Sequence, residues 1–418
     1  MGKKYDLIVV GGGFAGTAAA LEAAEKGLQV LLVEKYNCLG GAAVNCLVLP
    51  FMKYWTKTPE TKEVTPLTGS LFLEIVSRMG QLGGCHENRC TFDEEVLKLV
   101  LNRMCIERGV ELLFNATVTG VDMDGKHIRS LRVLGKSKVI ELQADHYIDA
   151  TGDAELSMLA GCRCNVGRES DGLCQPMTLC FRVGNVNTDL FYDEKPEIIE
   201  RYKQLRAEGK IKNPRHNVLS FMTMHDGIIH FNTTRIVKLD PTDPFEVTRA
   251  EIEAREQVYE LMELLKTFKS LENSFVLSTA LQIGIRESRK VLGEYTLTVE
   301  DLKSLACFED AIAVANYDID IHNPEGSGTS HYFFGDGEYY QIPYRCLIPR
   351  DCENLLVAGR CISSTHEAQA SYRIMPYCCE LGQAAGAAVS VAVQDGTDVR
   401  GVDIGKLQEI LRSEQFMI

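Results

Sequence analysis

Three glycines near the amino terminus have the spacing that binding of a pyrophosphate requires. They read Gly11-x-Gly13-x-x-Gly16, directly follow an apolar run, and are followed further on by the acidic residue Glu34. The first glycine of this pattern permits a tight turn, the second lets a pyrophosphate approach the backbone, and the third lets a helix pack closely on a strand. A carboxylate at Glu34 accepts hydrogen bonds from a ribose hydroxyl pair. The pattern predicts a dinucleotide site and, alone, leaves NAD and FAD open.

Two further stretches favour FAD over NAD. Gly40-Gly41 follow Glu34 within a short loop, and Thr151-Gly152 follow an apolar run. Each stretch lets the backbone come close to a long cofactor. With a flavin present, the protein has to orient a substrate and manage one proton during hydride or electron transfer.

Arginines are the candidates for holding such a substrate. In Arg286-Glu287-Ser288-Arg289, strand alternation would place Arg286 and Ser288 on one face and Glu287 and Arg289 on the other. One face would then hold a carboxylate or polar substrate, and the other would form a buried ion pair. A purely structural Arg–Glu network explains this segment equally well, and that alternative stays open.

Further candidates lie in or near the carboxyl-terminal part of the chain. Arg345 and Arg373 are candidate anchors for an anionic substrate, and the neighbouring Tyr344 and Tyr372 are candidates for passing a proton. His322 and His366 are the candidate acid/base groups, since both are expected in loops beside segments that bind the cofactor. The more common alternative for such a histidine is a hydrogen-bonded core or surface position.

The elements that must position these residues alternate between strands and helices. The pattern predicts a strand over 5–10, an Ala-rich helix over 14–26 and a strand over 29–34, which form a βαβ unit. It also predicts helices over 71–82, 93–108 and 245–268 and a small-residue helix from Pro376. A capping box between Thr91 and Glu94 is expected to open the second of these. Strands are expected over 111–121, 127–134, 139–142, 146–150, 177–183, 227–235, 282–295 and 354–358.

We therefore predict an α/β protein with a Rossmann-type FAD-binding domain that carries a β-meander, and an inserted α+β substrate domain. The FAD-binding domain would comprise residues 1–165 and 339–418, the second range forming a return segment and carboxyl-terminal helices. The substrate domain would comprise residues 166–338.

Composition narrows the classes of function. The chain has 418 residues, 45% of them hydrophobic, and a formal net charge of −14. Such an acidic protein is a poor partner for nucleic acid or anionic lipid, and no apolar run is long enough to span a bilayer, so we expect a cytoplasmic protein. The 15 cysteines include no Cys-x-x-Cys pair, which predicts reduced thiols and no metal centre.

In these motifs the chain resembles the FAD-dependent oxidoreductases of the glutathione-reductase-like superfamily, which has two dinucleotide-binding domains. More narrowly, it resembles the family known as FAD-dependent oxidoreductases, related to fumarate-reductase and thiazole-synthase flavoproteins. The matching segments span almost the whole chain: residues 6–16, 33–35, 39–41, 148–153, 171–173, 175–176, 284–289 and 354–386.

The resemblance implies a role for each cofactor-binding position. The pyrophosphate loop would comprise Gly11, Gly13, Phe14, Ala15 and Gly16, and the adenosine end would lie at Glu34, Lys35 and the backbone of Val118. Gly40, Gly41, Ala42, Thr151 and Gly152 would follow the pyrophosphate and ribityl chain, and Gly359, Arg360 and Met375 would reach the isoalloxazine ring. The helix from Pro376 would point its positive end at the flavin.

Two departures from the superfamily matter for the reaction. The redox-active cysteine pair of disulfide reductases is missing, because Ala43 and Val48 occupy its positions and Cys46 lies alone between them. A second Gly-x-Gly-x-x-Gly after a strand is also missing. Electrons are therefore expected from NAD(P)H bound transiently at the flavin or from a protein donor.

These observations predict an FAD-dependent oxidoreductase enzyme that transfers a hydride between flavin N5 and a small polar or anionic organic substrate. One alternative is a thiazole-synthase-like protein that uses the bound dinucleotide without redox chemistry and sacrifices a thiol, with Cys174 or Cys180 as the candidates. Another is a flavin subunit of a larger electron-transfer complex. The oligomeric state is left open.

Overall fold

The amino-terminal βαβ unit forms as the sequence predicts. The computed structural model describes residues 4–418, and the unit consists of strand β1 (Lys4–Val10), helix α1 (Phe14–Glu25) and strand β2 (Val30–Val33). The apolar run of β1 is almost wholly buried, and its strand pairs in parallel with β2 from Leu7 to Val10. Gly27, with φ of +90°, ends the helix region and turns the chain back into the sheet.

A seven-stranded sheet continues from this unit. The next elements in chain order are α2 (Ala42–Asn45), β3 (Trp55–Lys57), β4 (Val64–Pro66), α3 (Ser70–Gln81), α4 (Glu94–Glu107), β5 (Glu111–Leu113), β6 (Ala116–Asp124), β7 (His127–Gly135), β8 (Lys138–Asp149) and α5 (Glu155–Leu159). Six of its strands have the order β5-β2-β1-β8-β7-β6, and the seventh comes from the carboxyl-terminal part of the chain. Pairing is parallel from β5 to β8 and antiparallel through β8, β7 and β6. The sheet is thus a Rossmann-type sheet with a β-meander, as predicted.

The middle of the chain, residues 164–343, contains a second, smaller sheet. Its elements are β9 (Cys164–Val166), β10 (Phe181–Gly184), α6 (Thr188–Ala207), β11 (Ser220–Met222), β12 (Ile229–Phe231), α7 (Pro244–Leu265), β13 (Phe275–Thr279), β14 (Arg289–Val291), α8 (Val299–Lys303), β15 (Ala311–Ala315), β16 (Ile319–His322), β17 (Thr329–Tyr332) and β18 (Tyr340–Pro343). Strands β11, β12, β10 and β13 make a four-stranded antiparallel sheet. Its apolar residues and those of α6 and α7 form a core separate from that of the large sheet.

The carboxyl-terminal part returns to the large sheet. Its elements are a 3-10 turn (Tyr344–Leu347), β19 (Leu355–Val357), α9 (His366–Tyr372), α10 (Met375–Asp395), a second 3-10 turn (Val399–Gly401) and α11 (Ile404–Ser413). Strand β19 pairs in parallel with β8, and α10 packs along α1. The two helices cross so closely that a Cβ on Gly382 would lie 1.9 Å from the carbonyl oxygen of Ala15. Small residues in both helices are therefore a packing requirement.

Three local predictions need correction. Asp93, and not the pair Thr91 and Glu94, caps α4, because its side chain accepts the backbone N–H groups of Glu95 and Val96. Glu94 instead pairs with Arg182. Residues 138–149 form one long strand where two short ones were expected, because the residues between the two expected strands also stay in the strand. The strand predicted over 282–295 is confined to Arg289–Val291.

The structure also contains a long helix that the sequence pattern did not predict. Helix α6 carries Pro196 in its interior and mostly polar residues, which are both features that argue against a buried helix. It folds because Phe191, Ile198 and Tyr202 still give it one buried apolar side.

Candidate functional site

A cavity of about 400 Å³ opens where the carboxyl ends of the parallel strands meet the amino end of α1. It is lined by all the predicted cofactor positions except Gly16, namely Gly11, Gly13, Phe14, Ala15, Glu34, Lys35, Gly40, Gly41, Ala42, Val118, Thr151, Gly152, Gly359, Arg360 and Met375. Ligands of open α/β sheets bind at this edge. Residues from both ends of the chain and from the meander thus meet in one cavity.

Glycines keep this cavity free of side chains. Gly41 has φ of +52°, and a Cβ on it would lie 2.7 Å from the Cα of Gly13. Gly16 serves packing instead, since a Cβ there would lie 1.8 Å from the carbonyl oxygen of Gly11. Together they leave exposed backbone at the amino end of α1, which suits a pyrophosphate.

The acidic residue predicted at the ribose lies buried at the end of β2. Oε2 of Glu34 accepts the N–H of Gly12 at 2.5 Å, and Oε1 accepts the N–H of Tyr36 at 2.8 Å. Burial raises the pKa of Glu34. Each carboxylate oxygen has a second lone pair, so these two bonds orient the group and leave acceptors for ribose hydroxyls. Lys35 forms an ion pair with Glu155 at the same end.

The opposite end of the cavity is bounded by the amino end of α10. Met375 and Arg360 lie there, and Arg360 donates to Oδ1 of Asp153 at 2.7 Å and to the carbonyl of Ile285 at 2.6 Å. The guanidinium is therefore held in place by the loop after β8 and by the segment before β14. Because the positive end of a long helix faces this region, negative charge is stabilised in it.

A second cavity, of about 610 Å³, adjoins the first. Five residues line both cavities: Ala42, Ile285, Arg360, Arg373 and Met375. One part of the second wall is apolar, with Val48, Pro50, Met52, Leu219 and Ile374. The remainder is polar and comes largely from the segment after α6 and from β16 and β17. A molecule in the second cavity would thus lie against the isoalloxazine end of the first.

Two of the predicted catalytic arginines line this second cavity. Arg286 donates through Nη1 to the carbonyl of Pro176 and to Oγ1 of Thr178, at 2.7 and 2.6 Å. Burial, together with the charges of Arg373, Arg215 and Arg235, lowers the pKa of Arg286 to about 9. Arg373 lies at the boundary of the two cavities, and its Nε has no partner. The cavity therefore concentrates positive charge.

His322 also lines the second cavity, but both its ring nitrogens are occupied. Arg235 can only donate, so its 2.7 Å contact makes Nδ1 of His322 an acceptor, and Nε2–H then points to Asp320 Oδ2 at 3.2 Å. Burial and the charge of Arg286 hold the pKa of His322 well below its usual value. The hydrogen bond from His322 and the charge of Arg373 outweigh burial and lower the pKa of Asp320. His322 is thus a neutral ring that positions Asp320.

The remaining predicted catalytic residues lie elsewhere. Tyr344 is buried and donates to the carbonyl of Val399, Arg345 pairs with Asp310, and His366 bonds to Glu287 at 2.6 Å. None of these three lines either cavity. Arg289 lines the cofactor cavity and not the second one. Residues 286–288 precede the strand Arg289–Val291, so strand alternation does not set their sides. Arg286 nevertheless lines the second cavity, and Glu287 forms a buried ion pair with Lys290.

Arg215 and Tyr317 are candidate residues that the sequence did not reveal. Both line the second cavity, and the Tyr317 hydroxyl lies 3.4 Å from Asp320 Oδ2. Burial raises the pKa of Tyr317, so it stays protonated. The short Asp320-x-His322 motif was the available signal for Tyr317, whereas Arg215 lies in a polar connection without a motif.

The thiols near the cavities are neutral. Cys46 lines the first cavity and Cys180 the second, and burial raises their pKa values to about 11 and about 12. Cys174 is buried too, with a pKa raised to about 12. Every cysteine is free.

Comparison with known proteins identifies the family. Residues 6–411 match the family model described as FAD dependent oxidoreductase, and the chain belongs to this family. The cavity that the predicted residues line fits FAD, and FAD is the cofactor.

Individual relatives match only part of this chain. A digeranylgeranylglycerophospholipid reductase from Methanosarcina mazei is 28% identical over 161 residues, which are 36% of this chain and 39% of the relative. A glutathione reductase from Debaryomyces hansenii is 46% identical over 54 residues, 13% of this chain and 11% of that protein. The matches thus span about two fifths or less of these two relatives.

Among solved structures, a geranylgeranyl bacteriochlorophyll reductase-like protein from Thermoplasma acidophilum covers 98% of this chain and 84% of its own. Its TM-score is 0.51 at 12% identity, so the likeness concerns the fold. Within residues 4–418, no helix combines the length and apolar character that crossing a membrane needs.

Proposed function

We propose that the protein is an enzyme that exchanges a hydride between flavin N5 and a small polar or anionic organic substrate held in the second cavity. The observation that carries this proposal is the common wall of the two cavities, formed by Ala42, Ile285, Arg360, Arg373 and Met375. A substrate placed there lies between the positively charged wall and the isoalloxazine end of the cofactor site. The large volume and partly apolar wall suit an organic molecule.

The chain's own residues have three tasks in this reaction. Arg286 and Arg373 bind and orient the substrate through positive charge. Tyr317 holds a proton beside Asp320 and can exchange it with the substrate. Apolar side chains such as Met52 and Ile374 exclude water from the place of transfer. FAD, when bound, supplies the two-electron carrier, so that one hydride and one proton complete the reduction or oxidation.

The electron partner is part of the proposal. NAD(P)H bound at the flavin, or an electron-transfer protein, would reduce or reoxidise the cofactor between turnovers. No second glycine fingerprint follows a strand in the sequence, which supports a transient donor over a dedicated nicotinamide domain.

The raised thiol pKa values favour this function over the thiazole-synthase-like alternative. A sacrificial thiol reacts as a thiolate, whereas burial holds the pKa of Cys174 and of Cys180 at about 12.

The test is an anaerobic visible spectrum of the purified protein. We expect flavin bands at about 450 nm, bleached by NADH, NADPH or a chemical reductant, and restored by an organic acceptor with two electrons per FAD. Protein that takes up no FAD, or reduced FAD that no organic acceptor reoxidises in a screen of acids, aldehydes and ketones, would contradict the proposal.

A further inference from the structure

Arg215 is a buried cation without an acidic partner. Its side chain is only 5% exposed, its Nε donates to Asn217 Oδ1 at 3.3 Å, and its Nη1 has no hydrogen-bond partner. In residues 4–418, no carboxylate lies within ion-pair distance of this guanidinium. Burial lowers its pKa, but an arginine stays charged at neutral pH. An unpaired buried charge is costly, so this one calls for an explanation.

The position of Arg215 supplies that explanation. The residue lines the second cavity but not the cofactor cavity, so it is not part of the common wall. The other arginines there are partly satisfied: Arg286 by Pro176 and Thr178, and Arg373 by Asp320. Arg215, by contrast, makes a single side-chain hydrogen bond, to Asn217, and forms no ion pair within the described chain.

The charges around this cavity do not balance. Arg215, Arg286, Arg360 and Arg373 line it, and Arg235 lies behind His322. Asp320 is the one carboxylate that the described residues contribute to the wall, and Arg360 is paired with Asp153 outside it. His322 is neutral. A negatively charged ligand in the cavity would offset this excess of positive charge.

The rest of the wall indicates what the ligand looks like. Val48, Pro50, Met52 and Ile374 form an apolar side, and Ile285 and Met375 carry it to the common wall. A ligand that satisfies both sides combines an apolar body with an acid group that reaches Arg215.

We propose that the substrate is an organic acid with an apolar body, and that Arg215 is the residue that selects it by binding its carboxylate. The identification of this anion as the substrate rests on the proposed function, whereas the binding of the anion does not. Arg215 is then a specificity residue that acts at a distance from the reacting atoms.

The test measures binding to the oxidised, FAD-loaded protein by calorimetry, with benzoate as the probe and benzamide as its neutral counterpart. We expect benzoate to bind at least about tenfold more tightly than benzamide, and acetate, which lacks the apolar body, to bind weakly. Arg215→Met should remove the preference for benzoate, and Arg215→Lys should keep part of it. Arg249→Met, which removes an exposed arginine from α7, is the matched control and should change neither affinity.

Thermal unfolding separates this role from a structural one. Because Arg215→Met removes an unpaired buried charge, the melting temperature of the ligand-free holoprotein should stay equal or rise. A structural arginine would lower it. Equal affinity for benzoate and benzamide in the unchanged protein, or undiminished benzoate binding by Arg215→Met, overturns the inference.

Failure of the two proposals can be told apart in the same sample. Selective benzoate binding combined with a flavin that no organic acceptor reoxidises contradicts the proposed function and keeps the anion site. Reoxidation by aldehydes or ketones without any preference for acids contradicts the anion site and keeps the oxidoreductase.

Discussion

At the scale of single residues, the second cavity separates groups that can exchange a proton from groups that cannot. His322 uses both ring nitrogens on Arg235 and Asp320, so its neutral ring cannot shuttle a proton without losing a partner. Tyr317 has a hydroxyl near Asp320 and a pKa raised by burial. The tyrosine, and not the histidine, is therefore the group that we propose for proton transfer.

Replacing Tyr317 by Phe should slow the step that requires the proton. We expect kcat for reoxidation of the reduced flavin by an organic acid acceptor to fall by about 10²-fold or more, with KM little changed. Stopped-flow absorbance at the flavin band measures this. Tyr259→Phe, on the exposed face of α7, is the control, and equal rates for the two variants would contradict the role.

Replacing Gly41 by Ala should expel the cofactor. The new Cβ would lie 2.7 Å from the Cα of Gly13 and fill the pyrophosphate cradle. We expect at least a tenfold rise in the Kd for FAD, measured by fluorescence titration of the apoprotein.

The matched variant is Gly27→Ala, which also has positive φ but no atom within 4 Å of its Cβ. It should cost about 1–2 kcal/mol of stability through backbone strain and leave FAD affinity unchanged. FAD binding weakened equally by both variants would show that strain, and not the cradle, is responsible.

At the scale of elements, the amino-terminal βαβ unit was predictable because its signals are local: an apolar strand, a glycine turn and a small-residue helix follow one another in the sequence. Helix α6 was not, because its interior proline and polar residues outweigh three buried apolar side chains that only tertiary packing brings into use. The cap of α4 shows the same limit of prediction from local sequence. Glu94 fits a capping box, but it forms an ion pair with Arg182, which is distant in the sequence.

The crossing of α1 and α10 should not tolerate a methyl group. Gly382→Ala would place a Cβ 1.9 Å from the carbonyl oxygen of Ala15, and we expect a loss of about 1–3 kcal/mol or more in the free energy of unfolding. Gly80→Ala, in α3 with no atom within 4 Å, should instead gain about 0.5–1 kcal/mol because alanine favours a helix. Urea unfolding of both variants measures the difference, and equal shifts would contradict it.

Helix α10 also contains a carboxyl group that should make stability depend on pH. Neither oxygen of Glu380 has a side-chain partner, and burial holds its pKa well above the usual value of 4.5. The folded state thus keeps a proton that the unfolded state releases, so stability falls as pH rises from about 4.5 towards the folded pKa.

Glu380→Gln removes that titration and should flatten the dependence of the unfolding free energy on pH above 4.5. Urea unfolding at several pH values measures it. Glu263→Gln, on the exposed side of α7, should retain the slope of the unchanged protein, and an unaltered slope in Glu380→Gln would refute the expectation.

At the scale of the whole molecule, the residues that line the first cavity carry clearer sequence signals than those that line the second. The first cavity is lined by exposed backbone, and the glycines that expose it are visible in the sequence, so Gly11, Gly13, Gly40-Gly41 and Gly359 could be found. The character of the second cavity depends on which charges lack partners, which is a property of the folded chain. Arg215 gave no sequence signal for that reason. Tyr344 and Arg345, which are close in sequence to predicted cofactor-binding residues, line neither cavity.

Removing FAD should destabilise the whole chain. The cavity is built from β1, β2, α1, the meander and the amino end of α10, so a ligand there links distant parts of the large sheet. We expect the melting temperature of the apoprotein to be lower and to recover with added FAD. At a hundredfold excess over Kd, binding should add about 2.7 kcal/mol to the free energy of unfolding. Calorimetry measures it, and a melting temperature independent of FAD would contradict the link.

The close pairing of α1 with α10 has a consequence for synthesis. A nascent chain that has emerged only as far as the end of β8 contains the glycine fingerprint, but it lacks Gly359, Arg360 and Met375 on the far side of the cavity. Ribosomes release domains in order of sequence, so the pocket closes only after the start of α10, which lines it as far as Cys378, has left the exit tunnel. Capture of FAD is therefore a late event in biogenesis, and until then the groove that α10 will fill remains exposed on α1.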